Sequence, residues 1–576
     1  MSFTTTPDLG LPELHFLPQD FDPSDKPALE QRVQLLLDRP VESGEELERW
    51  TLDWSEIESS VDAALARRYI AMTLDTTDEA VKERYLSFEK EVVPLWRVLD
   101  DRLNRRYLDS PYREQQAPEL RKRYEVFERK RLKAAEIFRE ENTKLQAEDA
   151  ELGARYNEIQ GAITVEFRGE TLTAQQVSAY LEDPDRATRE EAWTKLAKRR
   201  LEDREEIEGV FEQMLGIRQK IARNADFADF RDFRFMEMSR FDYTPRDCEE
   251  YHDAVEKVVV PAMLELAEER KKRLGIESLR PWDTRVKLLG KEPLKPFRDA
   301  EGYKEITRKL FRAVDPVFER DFDILVRNEL LDLMSRKGKA PGGYMYPVED
   351  IRLPFIFINA VGVHSDVQTL LHEGGHAFHT ILCRDEPLKD YRDAPLEFAE
   401  VASMSMELLG LERFETVYAK DDARAAALSH LEDVVMILTW VATIDCFQQW
   451  IYTHPGHGRA GRRDKWVEIR TRFAPWIDWS GLEELRDSEW HRQGHLFGMP
   501  FYYIEYAIAQ IGALQVWQNE RRDHDRAIEA YRRGLRLGGS ARLPELFETA
   551  GLRFAMDEQM LEGLIADLMD RIRELL

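Results

Sequence analysis

Three residues in "LLHEGGHAFH" (Leu370–His379) have side chains and spacing suited to chemistry: His372, Glu373 and His376. Histidines four positions apart share one helix face, about 40° apart in projection and about 6 Å apart along the axis. At that separation both imidazoles can converge on one Zn2+ ion through bonds of about 2.0–2.1 Å. Glu373, beside the first ligand, can then act as general base toward an attacking water. A chain with this histidine content is expected to contain only about 0.03 chance copies of H-E-x-x-H, so the match is informative.

A third ligand must come from elsewhere. "DAPLEFAEVASMSMELLG" offers Glu397, Glu400 and Glu407 on one predicted helix, and spacing alone does not choose among them. Small residues Ala399, Ala402 and Ser403 let that helix come close. Two histidines and one carboxylate would leave the fourth position of a single Zn2+ open for water. His379 lies about 10 Å along the axis from His372 and is expected to pack rather than ligate. Gly374 and Gly375 each cost about 0.8–1.0 kcal/mol against alanine in a helix. Their retention predicts a helix pressed against a neighbour.

The elements that must position these groups are mostly helical. Ser365 and Gln368 are spaced as a capping box and predict the start of the histidine-bearing helix. Leu353–Val361, "LPFIFINAV", reads as a strand apolar on both faces, with an edge to offer an extended peptide. Alternation of Ile163, Val165 and Phe167 before Arg168-Gly169 predicts a small hairpin near 163–172, followed by a capping box at Thr173 and Gln176. An apolar stripe from Leu120 to Ile159 is interrupted by Arg131, Asn142 and Asp149. That pattern favours a long amphipathic helix or helical hairpin over a dimeric coiled coil. The basic, glycine-rich segment Thr453–Arg463 reads as surface loop, its His454 and His457 not a metal pair. The fold class expected is mainly α, with a small β element near the histidine helix. Residues 1–200 form an N-terminal helical region and 201–576 a catalytic domain.

The 576 residues carry a formal net charge of −27, which repels phosphates and argues against nucleic acid or an anionic membrane as main partner. Three scattered cysteines give no disulfide framework and suggest a reducing compartment. "MSFTTTPDLGLPELHF" lacks the pattern of a signal peptide. No uninterrupted apolar run reaches about 18 residues. A soluble cytoplasmic protein is expected.

The sequence resembles the thimet oligopeptidase and oligoendopeptidase F family of zinc metallopeptidases, especially its Pz-peptidase-like bacterial branch. The resemblance rests on "GKAPGGYMYP" (Gly338–Pro347), "FIFINAVGVHSDVQTLLHEGGHAFH", "PLEFAEVASMSMELL" and "RQGHLFGMPFYYIEYAIAQIGALQVW". "PDRATREEAWTKL" (Pro184–Leu196) extends it upstream, so it covers about residues 160 to 576. The resemblance implies two helical lobes enclosing a deep substrate channel, one Zn2+ ion and short peptides as substrates. It selects Glu400 as third ligand and makes Glu407 a supporting carboxylate. It marks His495, Tyr502 and Tyr506 as transition-state residues, with Tyr503 as a rival for substrate contact, and implies that Gly342 and Gly343 pass the substrate backbone. On helix geometry, Pro500 suits a helix start, and Tyr502 and Tyr506 would share one helix face as hydrogen-bond donors to an oxyanion. The expected function is hydrolysis of internal bonds in short peptides. A helical zinc carboxypeptidase is the alternative, followed by a non-catalytic peptide-binding scaffold.

Overall fold

Helix signals recur along the chain, and most are honoured locally. Ser43 caps Gly44–Leu74 by accepting from the Glu46 N–H, with Glu45 and Glu46 in the first turn. Asp185, Asp229, Asp299 and Asp557 cap later helices in the same way. The computed structural model describes residues 14–289 and 294–576. The fold is mainly α, with one two-stranded and one three-stranded sheet among the described residues.

The chain packs as two compact units, each discontinuous in sequence. The first comprises residues 1–136, 293–419 and 512–554. Its N-terminal part is built on Trp50, Trp54, Tyr107 and Phe127, all buried in one apolar cluster. The second sheet also belongs to this unit, with β3 (Leu331–Met334), β4 (Tyr344–Val348) and β5 (Leu353–Ala360) in the order β3-β5-β4. β5 is therefore central, parallel to β3 and antiparallel to β4. Its apolar residues on both faces have this cause, and the expected open edge on "FIFINAV" is wrong: both edges of β5 are already paired. The edge strands are β3 and β4.

The second unit comprises residues 137–292, 420–511 and 555–576. It holds the predicted hairpin, β1 (Thr164–Phe167) and β2 (Glu170–Thr173). Arg168 and Gly169 both take positive φ, 54° and 87°, as a two-residue type I′ turn requires. Thr173 and Gln176 form the expected capping box. The stripe from Leu120 breaks into two helices, Pro118–Ile137 and Glu140–Gly161. The helix Lys420–Thr453 contains an 18-residue window with mean hydropathy 1.4, long and apolar enough by composition to cross a membrane. That helix also buries Asp445, which accepts from Gln448 Nε2 at 2.9 Å. The expected loop at Thr453–Arg463 is shorter than anticipated, because Arg459–Phe473 is helical.

Candidate active site

The histidine helix spans His364–Cys383. Its start differs from the expected Ser365/Gln368 box. Val363 is the N-cap, and the Asp366 carboxylate accepts from the backbone N–H groups of Val361, Gly362 and Val363 at 2.8–2.9 Å. The Asp366 carboxylate gives these three amides charge-assisted bonds that a neutral glutamine would not.

The helix Leu396–Leu411 runs against it and supplies Glu400. A Cβ added at Gly375 would lie 2.5 Å from both Ala402 O and Ser403 Cα, and one at Gly374 would lie 2.5 Å from Phe311 Cζ. At the other end, a Cβ at Gly410 would lie 2.7 Å from Leu371. Gly375 therefore lets the two helices touch nearly backbone to backbone, as the small residues foretold, Gly410 makes room for the Leu371 side chain, and Gly374 makes room for the Phe311 ring.

That approach brings His372, His376 and Glu400 together, with ligand atoms all within 4.8 Å of one another. His372 Nε2 lies 3.5 Å and His376 Nε2 3.6 Å from Glu400 Oε2. Charge-assisted hydrogen bonds would be nearer 2.7–2.9 Å, at about that length. Ligands about 2.0–2.2 Å from one tetrahedral ion stand about 3.3–3.5 Å apart. The other ring positions are already engaged: His372 Nδ1 meets Glu407 Oε1 at 2.7 Å, and the His376 ring bonds the Ala399 backbone. Both Nε2 atoms are thus left to face Glu400, whose Oε2 also accepts from Ser403 Oγ at 3.0 Å. This donor set fits one divalent cation.

The electrostatics agree. Burial alone would lower His372, but its bond to Glu407 and the nearby Glu400 and Glu373 carry its pKa up to about 10. An environment that negative stabilises a cation. Burial drives His376 down to about 4, a neutral ring with a free lone pair. Burial raises Glu373 to about 7, with the His372 charge opposing and Glu400 reinforcing. A carboxyl group in that range can both take and return a proton near neutrality. His379 does not join the group. It is buried against the Phe398 ring at 5.9 Å, and burial lowers it to about 3.

Glu373 has a partner that sequence reasoning missed, the backbone N–H of Met345 on β4. This sets the parity of the strand, because groups of an antiparallel ladder point alternately inward and outward. Met345 faces away from β5, as do Gly343 and Pro347, and Pro347 has no N–H to lose there. Gly342, at φ +96°, precedes this stretch, and Asn359 Nδ2 holds its carbonyl at 2.8 Å. Only Met345's contact with Glu373 could have revealed this, and a long-range backbone bond leaves no sequence signature.

The second unit gathers the remaining predicted residues. His495 lies in the short helix Gly494–Gly498, its ring 4.9 Å from Tyr503, 5.7 Å from Tyr502 and 6.0 Å from Tyr506. Tyr502 is not on the helix as expected. The helix begins at Ile504, and Phe501 takes φ 67°, yet Tyr502 and Tyr506 still meet at 5.3 Å. Tyr503 is buried, and its hydroxyl bonds Trp440 and Gln493. Tyr502 and Tyr506 are the more accessible pair. Arg218, which the sequence reading passed over, fixes this loop: fully buried, it donates to Leu496 O at 2.9 Å, to Phe497 O, and to Tyr452 Oη at 2.7 Å. Its signal was an arginine in step with the apolar face set by Ile207, Phe211, Met214 and Ile221 of Arg204–Asn224.

Comparison with known proteins places the chain in a family. Residues 16–133 match the peptidase M3 N-terminal domain. An oligoendopeptidase F homolog of Borreliella burgdorferi is 22% identical over 453 residues, 73% of this chain and 72% of that protein. Oligopeptidase PepF of Bacillus subtilis is also 22% identical, over 57% of this chain and 50% of its own length. A solved structure of Pz peptidase A with an inhibitor superposes with a TM-score of 0.88 at 27% identity, covering 97% of this chain and 99% of that one. Since residues 179–565 match peptidase family M3 itself, the chain belongs to that family and is a peptidase.

Proposed function

We propose that this M3 peptidase is a Zn2+-dependent oligoendopeptidase that cleaves internal bonds of short peptides. One observation carries the reading: two histidine Nε2 atoms converge on Glu400 Oε2 at 3.5 and 3.6 Å, with Glu373 beside them. His372, His376 and Glu400 would hold the ion, which when bound supplies Lewis acidity and makes water a nucleophile near neutral pH. Glu373 takes the proton of the attacking water on its carboxylate and returns it to the leaving amine. Glu407 keeps His372 in the tautomer that leaves Nε2 free. The outward edge of β4, through Gly343 and the carbonyl of Met345, aligns an extended peptide by strand addition while the Met345 N–H holds Glu373. His495, Tyr502 and Tyr506 are assigned to hydrogen bonding of the developing oxyanion.

The test is cleavage of an internally quenched peptide blocked at both ends, with and without a chelator, by the wild type and by Glu373→Gln. Chelator-sensitive internal cleavage is expected, with turnover in the variant lower by at least ~10²-fold while metal stays bound. Release of single residues from unblocked peptides alone would favour the carboxypeptidase reading. Near-normal turnover in Glu373→Gln would remove Glu373 from its role.

A further inference from the structure

The two faces of β4 are chemically unlike. Met345 turns toward the histidine helix, its Sδ 3.9 Å from Thr380 Oγ1. By alternation Tyr344 and Tyr346 turn to the opposite face. There they meet Tyr69 of the helix Gly44–Leu74, at ring distances of 5.3 and 5.7 Å. Tyr85 adds a fourth ring, 5.7 Å from Tyr69. Tyr344 is anchored by stacking on Phe357 at 4.8 Å and by Thr73 Oγ1 at 2.5 Å. All four rings are partly exposed. None belongs to the ligands, the base or the donors already described. The patch is continuous with the strand edge whose Met345 N–H reaches Glu373.

An extended peptide laid along an open edge sends successive side chains to opposite faces, each sharing the face of the β4 residue opposite it. The residue opposite Met345 turns toward the histidine helix. Its neighbours, opposite Tyr344 and Tyr346, turn toward the tyrosines. We infer that Tyr69, Tyr85, Tyr344 and Tyr346 form a specificity subsite that selects a large apolar or aromatic side chain next to the residue paired with Met345. The inference rests on the reading of the chain as an oligoendopeptidase and names the substrates that reading leaves open. Aromatic rings reward apolar and aromatic contact. The two carboxylates that face the rings, Asp62 and Glu89, are both engaged: Asp62 pairs with Lys389 Nζ at 2.6 Å, and Glu89 accepts from Tyr85 Oη at 3.2 Å.

The experiment compares kcat/KM across doubly blocked quenched peptides with Phe, Leu, Ala or Arg placed singly at each position around the cleaved bond. Wild type, Tyr69→Ala, Tyr346→Ala and Tyr346→Phe are assayed together. In the wild type, Phe and Leu should exceed Ala by about tenfold or more at a position whose parity matches the tyrosine face. Tyr69→Ala and Tyr346→Ala should collapse that ratio, with the loss larger for the Phe peptide than for the Ala peptide, and Tyr346→Phe should keep it. A purely structural role would lower all peptides alike and leave the ratio intact, which overturns the inference, as does a preference for Arg. If the wild type cleaves no blocked peptide at all, the oligoendopeptidase reading itself has failed, a result distinct from cleavage without the preference.

Discussion

His372 Nδ1 and Glu407 Oε1 lie 2.7 Å apart, across the contact between the histidine helix and the helix that carries Glu400. The bond fixes the ring orientation and makes Nε2 more basic, so through His372 Glu407 would tune any ion held there. Glu407→Gln keeps an acceptor of the same length but removes the charge. Affinity for Zn2+ should fall by about 10–100-fold while the fold survives. Competition with a graded series of chelators measures this directly. An unchanged affinity would mean that the carboxylate serves packing alone.

Gly375 permits the approach that brings Glu400 to the histidines. Helix propensity alone favours Gly375→Ala by about 0.8–1.0 kcal/mol. Packing opposes it, because the new Cβ would lie 2.5 Å from the backbone at Ala402 and Ser403, which no side-chain rotation relieves. Overpacking of this kind costs about 1–3 kcal/mol. The expected result is net destabilisation together with weaker metal binding, as Glu400 is carried away with its helix. A variant more stable than the wild type with full metal affinity would show that the helices are less closely pressed than the geometry states.

The legible parts of this chain were those whose chemistry is local. The H-E-x-x-H spacing, the Arg168-Gly169 turn and the Thr173 capping box each depend on a few adjacent residues, and the structure keeps all three. What depended on distant partners was misread. Arg131, Asn142 and Asp149 looked like breaks in an apolar stripe, yet each is a tie. Arg131 reaches Asp100, Glu58 and Asp390 beneath Trp54, Asn142 bonds Ile221 O, and Asp149 holds Arg218. The strand Leu353–Ala360 was recognised, but its place at the centre of the sheet was not, since apolar residues on both faces do not reveal how many edges are paired. Glu400 could be singled out from Glu397 and Glu407 only through resemblance, because all three lie on one helix and only its packing decides which one faces the histidines.

Arg218 offers a way to disturb His495 without touching it. Its guanidinium is fully buried and spans Asp149, Tyr452 and the carbonyls of Leu496 and Phe497. Arg218→Met leaves two carbonyls without their donor and Asp149 without its counter-charge. Breaking a buried pair costs about 3–5 kcal/mol, and the lower end applies because Asp149 retains some solvent contact. Hydrogen exchange should accelerate at the amides of Leu496 and Met499, which close the turn around His495, and turnover should fall more than peptide affinity. Uniform acceleration throughout the second unit would assign Arg218 to general stability instead.

The pH dependence of stability should carry the mark of His252. Its Nε2 lies 2.9 Å from Asp445 Oδ2, both groups buried in the second unit. Burial alone would lower its pKa, but the bonds to Asp445 and Cys446 outweigh burial and raise it from the ordinary 6.5 to about 9. A group raised on folding stabilises fully below its unfolded pKa and loses that contribution as pH climbs through the folded value. The window is therefore about pH 6.5 to 9, and the shift corresponds to roughly 3 kcal/mol at most. Denaturation of the wild type and His252→Gln across pH 6 to 10 checks it. The stability gap between them should be widest at the acid end and narrow steadily toward about pH 9. A gap that is constant, or that widens with pH, would show that His252 is held neutral and that its contribution is packing rather than charge.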